Sequence, residues 1–351
     1  MTTDNFTILP DDLILVTGAA GFIGRRVVER LLERGFRNVR CLARRHPGHV
    51  ADLARRRNGV RVEIVEGNLL SRADCATAAA GAAVIYHLAA ARGEKSFPDA
   101  FLNSVVTTRN LLDAARSAGS LRRFVNVSSF TVYAGTPRHR SRLLDESWPV
   151  EDSPESRGDP YCYAKVKQDA LVADYGRQFG LPYVIVRPGY VYGPGNEAIT
   201  GRVGIGTFGI FLHLGGPNTL PLAYVDNCAE AIILAGLKSG IDGQTFNVVD
   251  DDLPSSRQFL NLYKRNVRRF RSIYLPHSIS YALCGMWEWY SGWSEGQLPP
   301  TFNRRSWRAY WQRTRYSNDK LKTALGWKQR VTTSEALQLY FRSCREKAAH
   351  A

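Results

Sequence analysis

Val16-Thr17-Gly18-Ala19-Ala20-Gly21-Phe22-Ile23-Gly24 decides the fold of this chain. The stretch follows the apolar run Leu13-Ile14-Leu15 and opens a helical pattern with apolar Val27, Val28, Leu31 and Leu32. An apolar strand, a glycine turn and a helix start, in that order, build a cradle for the phosphates of a dinucleotide. Gly18 permits the tight turn, Gly21 lets the backbone approach a pyrophosphate, and Gly24 lets the helix close on the strand. Glycine-rich turns alone are common; the strand-to-helix setting makes this one specific.

Outward from the loop, short β-like runs alternate with longer helical patterns. The runs lie at 13–17, 39–43, 60–66, 84–88, 124–128 and 183–187, and the helical stretches at 25–34, 70–80, 100–118 and 161–179. Strands separated by helices predict an α/β protein, a Rossmann-type doubly wound parallel sheet. Beyond residue 189 the pattern turns irregular and is glycine-rich through 193–216. Pieces at 223–225 and 244–249 read as returns to the sheet, and residues 253–300 as the body of a smaller, mostly helical lobe. The expected organisation is a cofactor-binding domain over 11–190, with sheet returns near 223–250. A substrate-binding lobe over 191–351 is discontinuous with it.

A chain of 351 residues, 44% of them hydrophobic, can bury a full core. Its first ten residues lack the apolar centre of a signal peptide, and no run of 18 apolar residues predicts a membrane span. The six cysteines are scattered without a Cys-x-x-Cys pair, which is neither a zinc pattern nor a disulfide framework; they read as reduced thiols of a cytoplasmic protein. The net charge of +15 is uneven: residues 253–351 hold 18 Lys/Arg against 5 Asp/Glu, and six of the seven tryptophans. Basic plus aromatic suits an anionic membrane surface or a phosphate-bearing substrate, or else a solvated basic face over a Trp-lined core. No nucleic-acid partner is expected; peripheral membrane contact and a homodimer stay open.

Tyr161 and Lys165 stand four apart at the start of a helical pattern, so both project from one face. An ammonium beside a phenol favours phenolate, and such a phenol can exchange a proton with a substrate oxygen while hydride moves to or from a nicotinamide. Tyr163 and Lys167 repeat the spacing, so spacing alone does not choose between the two pairs.

The ordered motifs resemble the extended short-chain dehydrogenases/reductases, the group of NAD-dependent epimerases and dehydratases and of 3β-hydroxysteroid dehydrogenases. The glycine loop carries the resemblance, with His87-Leu88-Ala89-Ala90, Asn103 with Asn110 and Leu111, and Phe124-Val125-Asn126-Val127-Ser128-Ser129. Pro160-Tyr161-Cys162-Tyr163-Ala164-Lys165, Arg187-Pro188-Gly189-Tyr190 and Tyr224-Val225-Asp226-Asn227 continue it, over about residues 12–340. The family pattern sets the tyrosine after proline and an acid four beyond the lysine. Pro160 and Asp169 meet that around Tyr161 and Lys165, whereas the rival pair has Leu171 at the acid position. The resemblance implies Tyr161 as acid/base, Lys165 as its activator and Ser129 as holder of the reacting oxygen, with Thr131 and Tyr190 touching substrate. It implies a cofactor site of Gly18, Gly21, Phe22, Ile23, Gly24, Arg44, Arg45, Asn68, Leu69, Ala89, Asn103, Tyr161, Lys165 and Pro188.

Strand two ends at Ala43 where NAD-binding members carry an acid for the ribose, and Arg44-Arg45 follow, so NADP is favoured over NAD. Phe130 and Thr131 replace the Asp-Glu pair of the 4,6-dehydratases. Tyr190 replaces an Asn frequent in nucleotide-sugar members, and Leu222 stands where they use an arginine. The last two departures resemble the hydroxysteroid-dehydrogenase or flavonoid-reductase branch more than the sugar epimerases. The expected activity is therefore an NAD(P)-dependent oxidoreductase interconverting a secondary alcohol and a ketone. The alternatives are a nucleotide-sugar epimerase with retained NAD and a membrane-associated, non-catalytic cofactor-binding protein.

Overall fold

The computed structural model describes residues 6–44, 59, 61–90, 93, 96–135, 143–294 and 302–349. Seven parallel strands form the main sheet: β1 (Ile14–Thr17), β2 (Asn38–Ala43), β3 (Arg61–Glu66), β4 (Val84–His87), β5 (Arg123–Val127), β6 (Tyr183–Pro188) and β7 (Thr245–Val248). Their spatial order is β7-β6-β5-β4-β1-β2-β3. Ile14 pairs with Val39 on one side and Val84 on the other, so the chain reverses its direction of growth across the sheet at β1 and β4. Every residue of β1, β4 and β5 is buried, as a parallel sheet covered on both faces requires.

Each face has its own core. Helices Phe22–Glu33 and Val225–Leu237 pack together on one face, through Val27, Val28, Leu31, Ile232 and Ile233. On the other, Arg72–Ala79, Thr107–Ala118 and Pro160–Phe179 supply Cys75, Leu111, Leu112 and Val172. The expected strands fall within two residues of the observed ones wherever both ends are described.

Three features depart from the periodicity. The helix expected over 100–118 is interrupted by a π-helical turn, Phe101–Val106, which carries Asn103; such turns widen the helix and recur at functional sites. The glycine-rich region holds a hairpin, Gly204–Thr207 with Ile210–His213, extended by Ser272–Tyr274. Its strands are too short and too broken by glycine to alternate visibly. Helix Asp319–Leu325 and Trp327, although far along the basic tail, pack back into the core beneath the sheet, with Trp327 Nε1 donating to Asn227 O at 3.1 Å.

Residues after β7 add helices Ser256–Asn266, His277–Trp293, Arg304–Trp311 and Thr333–Ala349. All six cysteines are buried free thiols. No helix among the described residues is long and apolar enough to cross a membrane.

Candidate active site

A cavity of about 810 Å³ opens above the β1/β4 switch point, where open α/β sheets bind ligands. Gly18, Gly21, Leu42, Ala43, Arg44, Asn68, Leu69, Ala89 and Asn103 line it. Gly18 has φ +70°, and a Cβ there would sit 2.9 Å from Ala89 N. A Cβ on Gly24 would lie 2.1 Å from Gly18 O, so any side chain would push the helix off the loop. Helix Phe22–Glu33 begins at Gly21 with no side-chain cap, so its first amides are left to a ligand. A pyrophosphate can take that place, and the residues present fit a dinucleotide.

The other expected cofactor residues are placed less uniformly. Phe22 and Ile23 open the loop helix and pack into two different cores. Asn68 Oδ1 accepts from Leu70 N at 3.0 Å, a local turn that occupies the side-chain oxygen. Pro188 is buried at the end of β6 beside Val248. Arg44 is exposed at the cavity rim, and Arg45 lies outside the described residues. The β2–β3 register sets Glu66 beside Ala43, a carboxylate one strand over that spacing did not reveal.

Asp159 starts the helix that carries Tyr161: its Oδ1 accepts from the Tyr161 and Cys162 amides at 3.0 and 3.2 Å, with Pro160 in the first turn. The helix packs against the 3₁₀ turn Phe130–Val132, whose N-cap is Ser129. Ser129 Oγ accepts from Thr131 N at 3.2 Å, and a hydroxyl that accepts there keeps its own O–H to donate. Thr131 is buried, its carbonyl accepting from Cys162 Sγ and Arg157 Nη1. Ser128 Oγ donates to Asp169 Oδ2 at 2.9 Å.

Lys165 is fully enclosed. Its Nζ donates to Val127 O and to Gln168 Oε1, both at 2.8 Å, and burial lowers its pKa to about 8. Tyr163, by contrast, packs edge-on against Phe97 at 5.3 Å, and Lys167 is 43% exposed beside Glu155. Lys165 therefore faces the end of β5, whereas Lys167 reaches toward solvent.

Asp169, four beyond the lysine, is buried with Arg187 at 3.1 Å and also accepts from Asn126 Nδ2 at 2.9 Å. Burial pushes its carboxyl up while Arg187 opposes the rise. The acid thus locks the helix to β5 and β6. Removing either member of such a pair leaves an unpaired buried charge, at a cost of about 3–5 kcal/mol.

A model of the NAD dependent epimerase/dehydratase family matches residues 14–248. The chain belongs to that family. Among characterised members of the epimerase/dehydratase family, UDP-glucose 4-epimerase of Mycolicibacterium smegmatis is 34% identical over 67% of this chain and 76% of its own length. Sterol demethylase protein B of Methylococcus capsulatus is 36% identical over 51% of this chain and 52% of its own. The chain spans only 36% of the trifunctional enzyme RHM1 of Arabidopsis thaliana, which it matches at 30% identity. The gox2253 crystal structure has the same fold, with TM-score 0.77 at 24% identity over 96% of this chain and 99% of that one.

Within this family member, a hydrogen-bond chain that sequence reasoning missed joins the loop to the lysine. Thr17 Oγ1 meets His87 Nδ1 at 2.8 Å, His87 Nε2 meets Thr108 Oγ1 at 2.9 Å, and Gln168 Nε2 donates to Thr108 Oγ1 at 2.7 Å. Because Thr108 spends its own hydrogen on Ser104 O, it must accept from both. This assigns the Nε2–H tautomer to His87, whose imidazole burial holds neutral with a pKa lowered to about 3. Also unforeseen is the tail's return over the helix start: Tyr310 donates to Asp159 Oδ2 at 3.0 Å and Asn303 to Arg157 O at 2.9 Å. Tyr190, the expected substrate contact, donates its hydroxyl to Ala198 O at 2.8 Å.

Proposed function

We propose that this protein is an NAD(P)-dependent oxidoreductase that interconverts a secondary alcohol and a ketone. The supporting observation is the frame formed by Thr17, His87, Thr108, Gln168 and Lys165, which ties the glycine cradle to the helix bearing Tyr161. In this reading Gly18, Gly21, Phe22, Ile23 and Gly24 hold the pyrophosphate, and Ala43 with Arg44 and Arg45 favours a 2′-phosphate. A bound nicotinamide dinucleotide supplies or accepts the hydride. Tyr161 gives its phenolic proton to the ketone oxygen or takes one from the alcohol. Lys165 lowers the phenol's pKa by its charge, and its third N–H is the donor that would serve the cofactor's ribose. Ser129 donates its hydroxyl hydrogen to the same substrate oxygen, fixing it beside Tyr161. The decisive test is NADPH-dependent reduction of a panel of bulky ketones, with sugar nucleotides as the comparison. No turnover of any ketone would sink the reading.

The UDP-glucose 4-epimerase relative favours a second reading, epimerisation of a nucleotide sugar with cofactor retained throughout. An epimerase releases stoichiometric NAD(H) when the purified protein is denatured; an oxidoreductase exchanges NADPH and releases little.

A further inference from the structure

Helix His277–Trp293 is built inside out. Its buried residues are Ser280, Cys284 and Ser291. Its outward residues Ile279, Leu283, Met286, Trp289, Tyr290 and Trp293 are 42–71% exposed. Five of these follow spacings of four and three, a single stripe about 21 Å long at 1.5 Å per residue. The helix cannot roll to hide it. Trp307 Nε1 donates to the Ser280 hydroxyl at 2.9 Å, and Cys284 packs with Leu214, Trp307 and Trp311, so the small face is pinned inward. Exposed Ile273 and Tyr274 precede the helix in the chain, and exposed Arg265, Arg268, Arg269 and Arg271 precede them. The helix's one acid, Glu288, is already paired with Arg304 at 2.6 Å.

We propose that this face lies flat on an anionic lipid bilayer, the stripe in the headgroup–acyl boundary and the arginines over lipid phosphates. Trp and Tyr are apolar with one polar tip and suit that boundary. A second copy of the chain fits less well, because a two-fold contact would bring two copies of this arginine-rich segment together, whereas lipid phosphates complement it. The helix lies in the surface plane because its inner face is committed to protein. The inference is independent of the reaction assigned to Tyr161.

The test is co-sedimentation of the full chain with vesicles of phosphatidylcholine alone and of equal parts phosphatidylcholine and phosphatidylglycerol. Binding is expected to the mixed vesicles only, and to weaken as salt rises past the point where the Debye length falls below about 10 Å. Met286→Ser with Trp293→Ser should lower the affinity about tenfold or more, since two apolar side chains leave the headgroup–acyl boundary. Arg268→Gln with Arg269→Gln should lower it by a smaller factor, with circular dichroism and thermal midpoint unchanged in both variants. Failure of the unaltered chain to bind mixed vesicles at low salt overturns the proposal. So does a stripe variant that binds like the parent, or a dimer lost in the stripe variant without any vesicle binding.

Discussion

The cofactor half and the helix His277–Trp293 obey opposite rules. Around β1, β4 and β5 large apolar side chains are inside, and the buried His87, Lys165 and Asp169 each have named hydrogen-bond partners. On the tail helix the buried residues are the small Ser280, Cys284 and Ser291, and six large apolar ones are out. Even the tryptophans divide this way: Trp327 is 1% exposed, Trp289 71%. A buried apolar side chain specifies a fold, whereas a stripe of exposed ones specifies what the fold meets.

The sharpest break would come at the proposed chemistry. Tyr161→Phe should lower kcat by about 10²–10⁴-fold with cofactor affinity retained, the range that a positioned acid/base contributes. Tyr163→Phe, whose ring packs on Phe97, should keep most of the rate. The reverse result would exchange the roles of the two tyrosine–lysine pairs.

The tryptophans give the next largest contrast. Trp327→Ala should cost about 3–5 kcal/mol in urea unfolding, as large-to-small core changes do. Trp289→Ala, exposed, should stay within about 0.5 kcal/mol. Equal losses would erase the distinction between the two regions.

Ala43→Asp should move preference from NADP toward NAD by about 10- to 100-fold, because a charged hydrogen bond to the ribose contributes roughly 1.5–3 kcal/mol. Fluorescence titration with both cofactors measures it. An unaltered chain that already prefers NAD would remove the role given to Arg44 and Arg45.

The smallest effect concerns pH. With Lys165 lowered to about 8, its charge is lost as pH rises through that value, so kcat/KM should fall on the alkaline side near pH 8. Gln168→Leu removes an acceptor that favours the charged form and should move that limb to lower pH. For stability the sign is opposite. Between about 8 and the ordinary 10.5 the unfolded chain binds more protons, so this group makes the fold more stable as pH rises across that window. A limb unmoved in Gln168→Leu would separate the amide from the lysine's titration.

The sheet was legible because glycine punctuates it and buried parallel strands read as apolar runs, as at 84–88 and 124–128. The cradle was legible for the same reason. The Thr17–His87–Thr108–Gln168 chain was not, since its members are 21 to 70 residues apart and each is an ordinary strand or helix residue by itself. Nor could spacing place Trp327 in the first core and Trp289 outside, because burial depends on what packs against a helix rather than on its composition. Glu66 beside Ala43 needed the strand register.

The direction of those buried hydrogen bonds has a consequence for proton traffic. Donors converge on Thr108 from both sides, from His87 and from the Gln168 amide, and its only hydrogen ends on the Ser104 carbonyl. A proton hopping along a wire needs every link to point the same way, so nothing passes from Lys165 inward to Thr17. The buried chain is a brace, and in the proposed reaction a proton taken up or given out at Tyr161 does not pass along it.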